Sequence, residues 1–382
     1  MDNSKTIELA ERRVVVSYAA IDKVVVDNIV KPVEVENPSR DYVFWGKKND
    51  YPEYINGLVK GAATLRSIIN GCCDYTVGDR VDCLQLPYLA SDGKRYLNRT
   101  RQTPRDFIRN LARDFFTTGG FCFEVIRSND GEVSELYNVQ FRHARSNKEN
   151  TVFYYSEDWQ RRFGKKKDII YPKFDPEARE VVNSLVYVKN TNTQVYPECP
   201  FEGAVIAAEL ERAIDEYHWN SMNNGFTGGC IVNIPIGVPP DEIRAEIEKA
   251  IDAKFCGYKN AGRPVIIYSE SRDHAANITD LKTQDFSEKY DALAKRSRQQ
   301  LFTAYRANPN IFGIPTENLG FSQEEYESAF KLFNRTVIQP AQRLIIDTIQ
   351  SVFDFGITIQ PFTLEGAGEN AETKQTVKQQ EA

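Results

Sequence analysis

Between Asn308 and Gly320 the chain places Pro309, Gly313, Pro315 and Gly320 within thirteen positions, a run that no regular helix crosses. It separates two strongly helical stretches. On its N-terminal side, about Ser287 to Ala307, Tyr290, Ala294, Leu301 and Tyr305 recur at helical spacing beside Lys289, Lys295, Arg296, Arg298 and Arg306. On its C-terminal side Ser322-Gln-Glu-Glu325 reads as a capping box, opening a helix that runs to about Phe353 through Tyr326, Phe330, Phe333, Val337, Leu344 and Ile349. Pro340 lies inside that helix. It removes one backbone donor and crowds the carbonyl four residues back, so a kink is expected between Asn334 and Gln339.

Upstream, Pro239-Pro240-Asp-Glu starts another helix, with acids in its first turn and the stripe Ile243, Ile247, Ile251, Phe255. A turn-rich stretch, Gly257 to Pro264, leads from it to the strand Val265-Ile-Ile-Tyr. A helix from Gly203 carries the apolar face Ile206, Leu210, Ala213, Ile214 and Tyr217, with His218 in the turn after that face; Asn224-Gly225 and Gly228-Gly229 break it before the short strand Cys230-Ile-Val-Asn-Ile.

The first two hundred residues are richer in strands. Arg13-Val-Val-Val-Ser-Tyr and Val24-Val-Val-Asp-Asn-Ile-Val are β-branched runs; Tyr54 to Val77 reads as helix interrupted near Gly61 and stopped by Gly78. Thr103-Pro-Arg-Asp106 is a strong helix start, with Ile108, Leu111 and Phe115 on the buried side. Arg101, Arg105, Arg109 and Arg113 recur every four residues, a face to be paired with acids such as Asp106 and Asp114, or else used for a subunit or DNA contact. Gly119-Gly120 ends the helix before the alternating strand Phe121 to Arg127, and Asp130-Gly131 predicts a two-residue type I′ hairpin. Thr151 to Tyr155 and Asp168 to Pro172 flank the basic run Arg161-Arg-Phe-Gly-Lys-Lys-Lys167, read as a solvated hairpin tip. The fold class expected is α+β. After Phe362 almost nothing is apolar, and a disordered tail is expected.

No run approaches eighteen apolar residues, and Met1 to Glu8 has neither the basic region nor the apolar stretch of a signal peptide, so a protein made in a cytoplasm and outside membranes is expected. Seven scattered cysteines form no C-x-x-C pair and are expected as buried free thiols; three distant histidines offer no local metal motif. There is no G-x-x-x-x-G-K-[ST] loop, no G-x-S-x-G elbow and no H-E-x-x-H helix. No cofactor, metal or catalytic residue is therefore expected. The net charge of −6 disfavours a protein that grips nucleic acid, though not a channel through which DNA slides.

Taken in order, several strings resemble the portal proteins of tailed bacteriophages, above all the compact portals of long-tailed phages. They are Phe44-Trp-Gly-Lys-Lys-Asn-Asp-Tyr-Pro-Glu-Tyr54, Ile68-Ile-Asn-Gly with Tyr75-Thr-Val-Gly78, and Asn110 to Arg127. Asn223-Asn-Gly-Phe, Lys259-Asn-Ala-Gly-Arg-Pro-Val-Ile-Ile267, Ala304-Tyr to Gly313-Ile-Pro, and Gly320-Phe-Ser-Gln-Glu-Glu-Tyr follow, so the likeness spans roughly residues 40 to 353.

The resemblance implies a dodecameric ring at one capsid vertex, serving genome packaging, head-tail attachment and DNA ejection. It implies an N-terminal arm at 1–40, a β-rich wing at 41–238, stem helices at 239–256 and 284–307 around a small clip at 257–283, a tunnel loop at 308–321 and a long kinked wing helix at 322–353. Only 354–382 remains for a crown, which is therefore reduced, with the tail. Asn310, Ile311, Phe312, Gly313, Ile314 and Pro315 would form the tunnel loop; Lys259, Asn260, Arg263 and Arg272 would meet the terminase large subunit or the head-completion adaptor; Pro340 would kink the wing helix. Major capsid and scaffold proteins are further implied partners, and double-stranded DNA would be held weakly and without sequence preference. The rival readings are another virion component, such as an adaptor or minor capsid protein, and a magnesium-dependent nuclease.

Overall fold

The computed structural model describes residues 4–9, 12–17, 29–159, 168–192, 194–223, 231–234, 265–268, 287–314 and 323–362, with single positions at 240, 242, 243 and 246. Its helices in chain order are α1 (Tyr51–Gly61), α2 (Ala63–Val77), α3 (Pro104–Thr118), α4 (Val205–Asn223), α5 (Ser287–Ala304), α6 (Gln323–Phe333) and α7 (Gln339–Val352). The chain divides into two compact units, one of Met1–Ile29 with Ile206–Gln299 and one of Val30–Val205 with Gln300–Ala382. The mixture of helix and mostly antiparallel sheet is the α+β architecture expected.

In the larger unit α3 organises the core. The Thr103 hydroxyl accepts the Asp106 N–H at 3.1 Å, capping a helix whose proline lies where no donor is missed. Phe107, Ile108, Leu111, Ala112 and Phe116 form its buried face; α2 presents Leu65, Ile68, Ile69, Cys72 and Cys73. Each such aliphatic or aromatic side chain is worth about 1.5–3 kcal/mol on burial. Phe115, expected on the buried side, is only half-buried, because the apolar stripe turns through Phe116 instead.

The chain then enters the central strand, Gly120–Arg127, of a three-stranded antiparallel sheet with Val133–Val139 and Asn183–Lys189 on either side. Its hairpin differs from the one expected. The Gly131 N–H returns to the Ser128 carbonyl and Ser128 pairs with Glu132, so the loop has three residues rather than two. Neither Asn129 nor Asp130 has positive φ, which a type I′ turn demands, while Gly131 has φ +82° and supplies the bulge. The Asp130 carboxylate accepts from the Ser128 hydroxyl and the Glu132 N–H, and these bonds hold its pKa below the usual range. A second antiparallel sheet, in the order Ala144–Ser146, Val152–Tyr155, Ile169–Pro172, lies beside it; the basic run 161–167 that joins its last two strands is outside the described residues.

Between α6 and α7 the residues Asn334–Ile338 form a π-helical segment. The wider turn falls where the missing N–H of Pro340 breaks the ladder, a register change by which a helix accommodates such a loss. Cys72, Cys73, Cys122 and Cys199 are buried free thiols and Cys83 is half-buried. Cys230 and Cys256 are outside the described residues.

In the smaller unit a four-stranded sheet runs Ser4–Leu9, Arg12–Ser17, Val265–Tyr268, Ile231–Ile234, antiparallel except for its last pair, which is parallel. The strand-like run from Val24 lies almost wholly outside the described residues, as do the helix expected at 240–255 and the tail after Phe362. In α4 the expected stripe is only partly buried. Ala207, Ala208 and Ile214 face inward, whereas Ile206 is 61% exposed and Ala213 and Tyr217 are also exposed. His218 lies within the helix, one position after Tyr217, and its ring meets Tyr290.

Asp114, on α3, is partly exposed as a residue, yet its carboxylate turns inward to accept the Phe141 N–H at 2.9 Å. Burial pushes its pKa up to about 7, against the opposing pull of that hydrogen bond and of Arg142. A carboxyl raised in the folded state adds stability that is fully present below the ordinary carboxylate range and is lost as pH rises through about 7. Urea titrations should therefore show stability falling from pH 4 toward pH 7.5, and Asp114→Asn should flatten that slope; an unchanged slope would contradict the assignment.

Candidate channel loop and its aromatic seat

Asn308–Ile314 is a single tight turn. Pro309–Phe312 is 3₁₀-helical, the Asn308 side chain accepts the Asn310 N–H at 3.0 Å, and the Gly313 and Ile314 N–H groups return to Asn310 and Pro309 carbonyls at 3.1 and 3.2 Å. The expected absence of regular helix has this local cause: the Asn310, Ile311, Gly313 and Ile314 N–H groups are used within the turn, and Pro309 has none. Pro315 and the rest of the stretch to Phe321 lie outside the described residues.

The two large side chains of the turn point into the larger unit. Ile311 is 3% exposed, and its carbonyl accepts the Tyr75 hydroxyl at 2.5 Å. The Phe312 ring stands edge-on to Tyr75 and Phe333, with centroids 6.0 and 5.8 Å away, and lies 5.6 Å from Phe302. Tyr75 further meets Phe330 and Phe362. Edge-on aromatic pairs of this kind add about 0.5–1.5 kcal/mol each beyond the area they bury. Gly71 on α2 makes the approach possible, since a Cβ there would fall 2.5 Å from the Phe312 ring. Burial pushes the Tyr75 phenol up to about 12, so it stays protonated and able to donate.

The other expected site residues fare differently. Lys259, Asn260, Arg263 and Arg272 lie outside the described residues. Pro340 follows the π-helical segment described above. Of the four arginines expected on one helical face, Arg101 lies before α3, at φ +59°, and those with partners have others than expected: Arg101 meets Asp92 at 3.4 Å and the Tyr96 ring, Arg105 donates to the carbonyls of Gly78 and Asp79, and Arg109 pairs with Asp74. Asp106 is engaged by the helix cap and Asp114 by Phe141. The seat residues Tyr75, Phe302 and Phe362 escaped sequence reasoning, because nothing local marks residues some 230 positions apart as neighbours. Among the described residues no cluster of three or more His, Cys, Asp or Glu side chains is arranged for a metal, and no helix is long and apolar enough to cross a membrane.

The chain aligns over 94% of its length with 93% of a chain from the structure "Virion of native gene transfer agent (GTA) particle", at a TM-score of 0.50 and 15% identity. The two share a fold. That shared fold is the architecture that carries the loop and its seat. A weaker likeness, TM-score 0.37 and 11% identity over 78% of this chain and 88% of the other, links it to a structure described as an HK97 family phage portal protein from Corynebacterium diphtheriae. No family model matches. A protein of Rickettsia felis (strain ATCC VR-1525 / URRWXCal2) described only as uncharacterized is 26% identical over 196 residues, and the chain spans about half of that relative's length, 48%.

Replacing Phe312 with Ala should cost roughly 3 kcal/mol of folding stability and Tyr75→Phe about 1 kcal/mol, both read from urea midpoints. A Phe312→Ala chain as stable as the wild type would mean that the ring does not rest in the seat.

Proposed function

We propose that the chain is a portal-type virion subunit, a non-enzymatic protein that assembles into a closed, dodecameric ring and provides the channel for double-stranded DNA at one capsid vertex during packaging, head-tail attachment and ejection. The fold shared with a virion chain across nearly the full length of both carries this reading. The order of the portal-like strings along residues 40 to 353 supports it independently.

In this reading the segments take the places that the resemblance implies. The 308–321 stretch is the channel loop, with one refinement: Ile311 and Phe312 anchor it in the aromatic seat, so that only its remainder reaches the bore. A short turn with buried anchors between two helices makes a stiff constriction, and twelve copies carrying few cations would let DNA slide. Lys259, Asn260, Arg263 and Arg272 at 257–283 serve the terminase large subunit and then the head-completion adaptor; the capsid and scaffold proteins surround the wing. Energy for packaging comes from the partner motor, since the chain has no phosphate-cradling loop.

Sedimentation velocity at micromolar concentration tests the proposal. The expected species is many times the 43.6 kDa chain, without nucleotide turnover by the purified protein. A chain that remains monomeric at every salt and concentration, scaffold and capsid proteins included, contradicts it.

A further inference from the structure

The segment that follows α7 ends on the same tyrosine that holds the turn Asn308–Ile314. Its root is fixed: Phe355 is 1% exposed, and its carbonyl accepts the Leu84 and Gln85 N–H groups at 2.9 and 3.3 Å. Gly356 comes next at φ +56°. Beyond it Thr358–Gln360 pairs antiparallel with Arg80–Asp82, and the Gln360 carbonyl accepts the Asp79 N–H at 3.1 Å. Phe362 then stands edge-on to Tyr75 with centroids 5.4 Å apart, the nearest of that ring's aromatic neighbours among the described residues, and meets Phe330 at 6.1 Å.

Root and end are held very differently. From Ile357 to Phe362 no residue is fully buried: Thr358, Gln360 and Pro361 are exposed, and Ile357, Ile359 and Phe362 are half-buried. On the opposite strand Arg80 is exposed and Val81 and Asp82 are half-buried. A two-stranded pair wetted in this way is marginal in water. Exposed ladders of this kind open locally at a much lower cost than the core beside them. The turn, by contrast, hangs on one donor of the seat, the Tyr75 hydroxyl, whose hydrogen bond to the Ile311 carbonyl is kept from water by the rings around it.

We propose that residues 357–362 are a releasable latch on the channel loop. Closed, Phe362 covers one side of the Tyr75 ring and keeps the phenol aimed at the Ile311 carbonyl. Swung away about Gly356, the latch uncovers the ring, water competes for that hydrogen bond, and the turn loosens. The inference rests on the channel reading above for what loop stiffness does to DNA, whereas the coupling of latch to turn belongs to the single chain.

Hydrogen–deuterium exchange on the full chain tests it. Phe362→Ala removes the tip of the latch and Ile359→Asp disturbs its ladder. Each should speed exchange of the Ile311, Gly313 and Ile314 amides at least about tenfold, because a local opening then suffices to free them. Amides of α3 and of the strand Gly120–Arg127 should keep their wild-type rates, and Thr358→Ala, on an exposed position of the same ladder, should change neither group. Wild-type exchange at the turn in both variants would overturn the proposal. Equal acceleration in α3 would do the same, since it would mean lost global stability rather than a local latch. None of these outcomes depends on ring formation: a monomeric chain with the expected exchange pattern keeps the latch and loses the channel.

Discussion

The larger unit is built around a buried positive charge whose hydrogen-bond partners, among the described residues, are a side-chain amide and backbone carbonyls. Arg145 is 0% exposed, and its guanidinium is held by Asn49, through both the side chain and the carbonyl at 3.1 Å, and by the carbonyls of Arg142 and Ala144 at 2.8 Å each. Taking such an ion out of water costs several kcal/mol unless its donors are satisfied, and here backbone dipoles do that work together with the face of Trp159, 5.0 Å away. The arrangement ties the entry of α1 to the strand Ala144–Ser146. Around it Tyr196 stacks on Trp45 at 4.6 Å and donates its hydroxyl to the Val43 carbonyl, which joins the strand Val43–Trp45 to the same core.

The aromatic seat is a second fixed point, and the two give the subunit a common logic. Helices α2 and α6 bring Tyr75, Phe330 and Phe333 together, and the π-helical segment changes the helical register between α6 and α7 without ending the helix. A turn anchored there presents its remaining residues from a rigid base. A loop meant to constrict a channel needs such a base, because a constriction is only as stiff as the packing behind it.

Much of this was legible in local chemistry. The Thr103 cap, the break between α1 and α2, the end of regular helix after α5 and the disturbance before Pro340 each follow from residues within a few positions of the event. Partners distant in sequence were not. Arg101 and Arg109 found Asp92 and Asp74 rather than the acids nearest in sequence, and Ile231–Ile234 pairs in parallel with Val265–Tyr268 and, through it, with the N-terminal hairpin. Asp130-Gly131 marked the hairpin correctly but not its length, which the bulge at Ile126/Arg127 and the side chain of Asp130 helped to set. Ile311 and Phe312 were apolar residues that a solvated linker has no use for, and both a bore and a core would explain them; only their packing against Tyr75 and Phe302 distinguishes the two.

Class-averaged electron images of the purified assembly, viewed along its axis, test the central claim most directly. The account predicts a closed ring with a central hole and a constriction within the bore. Filled particles, open chains or a simple dimer would contradict it.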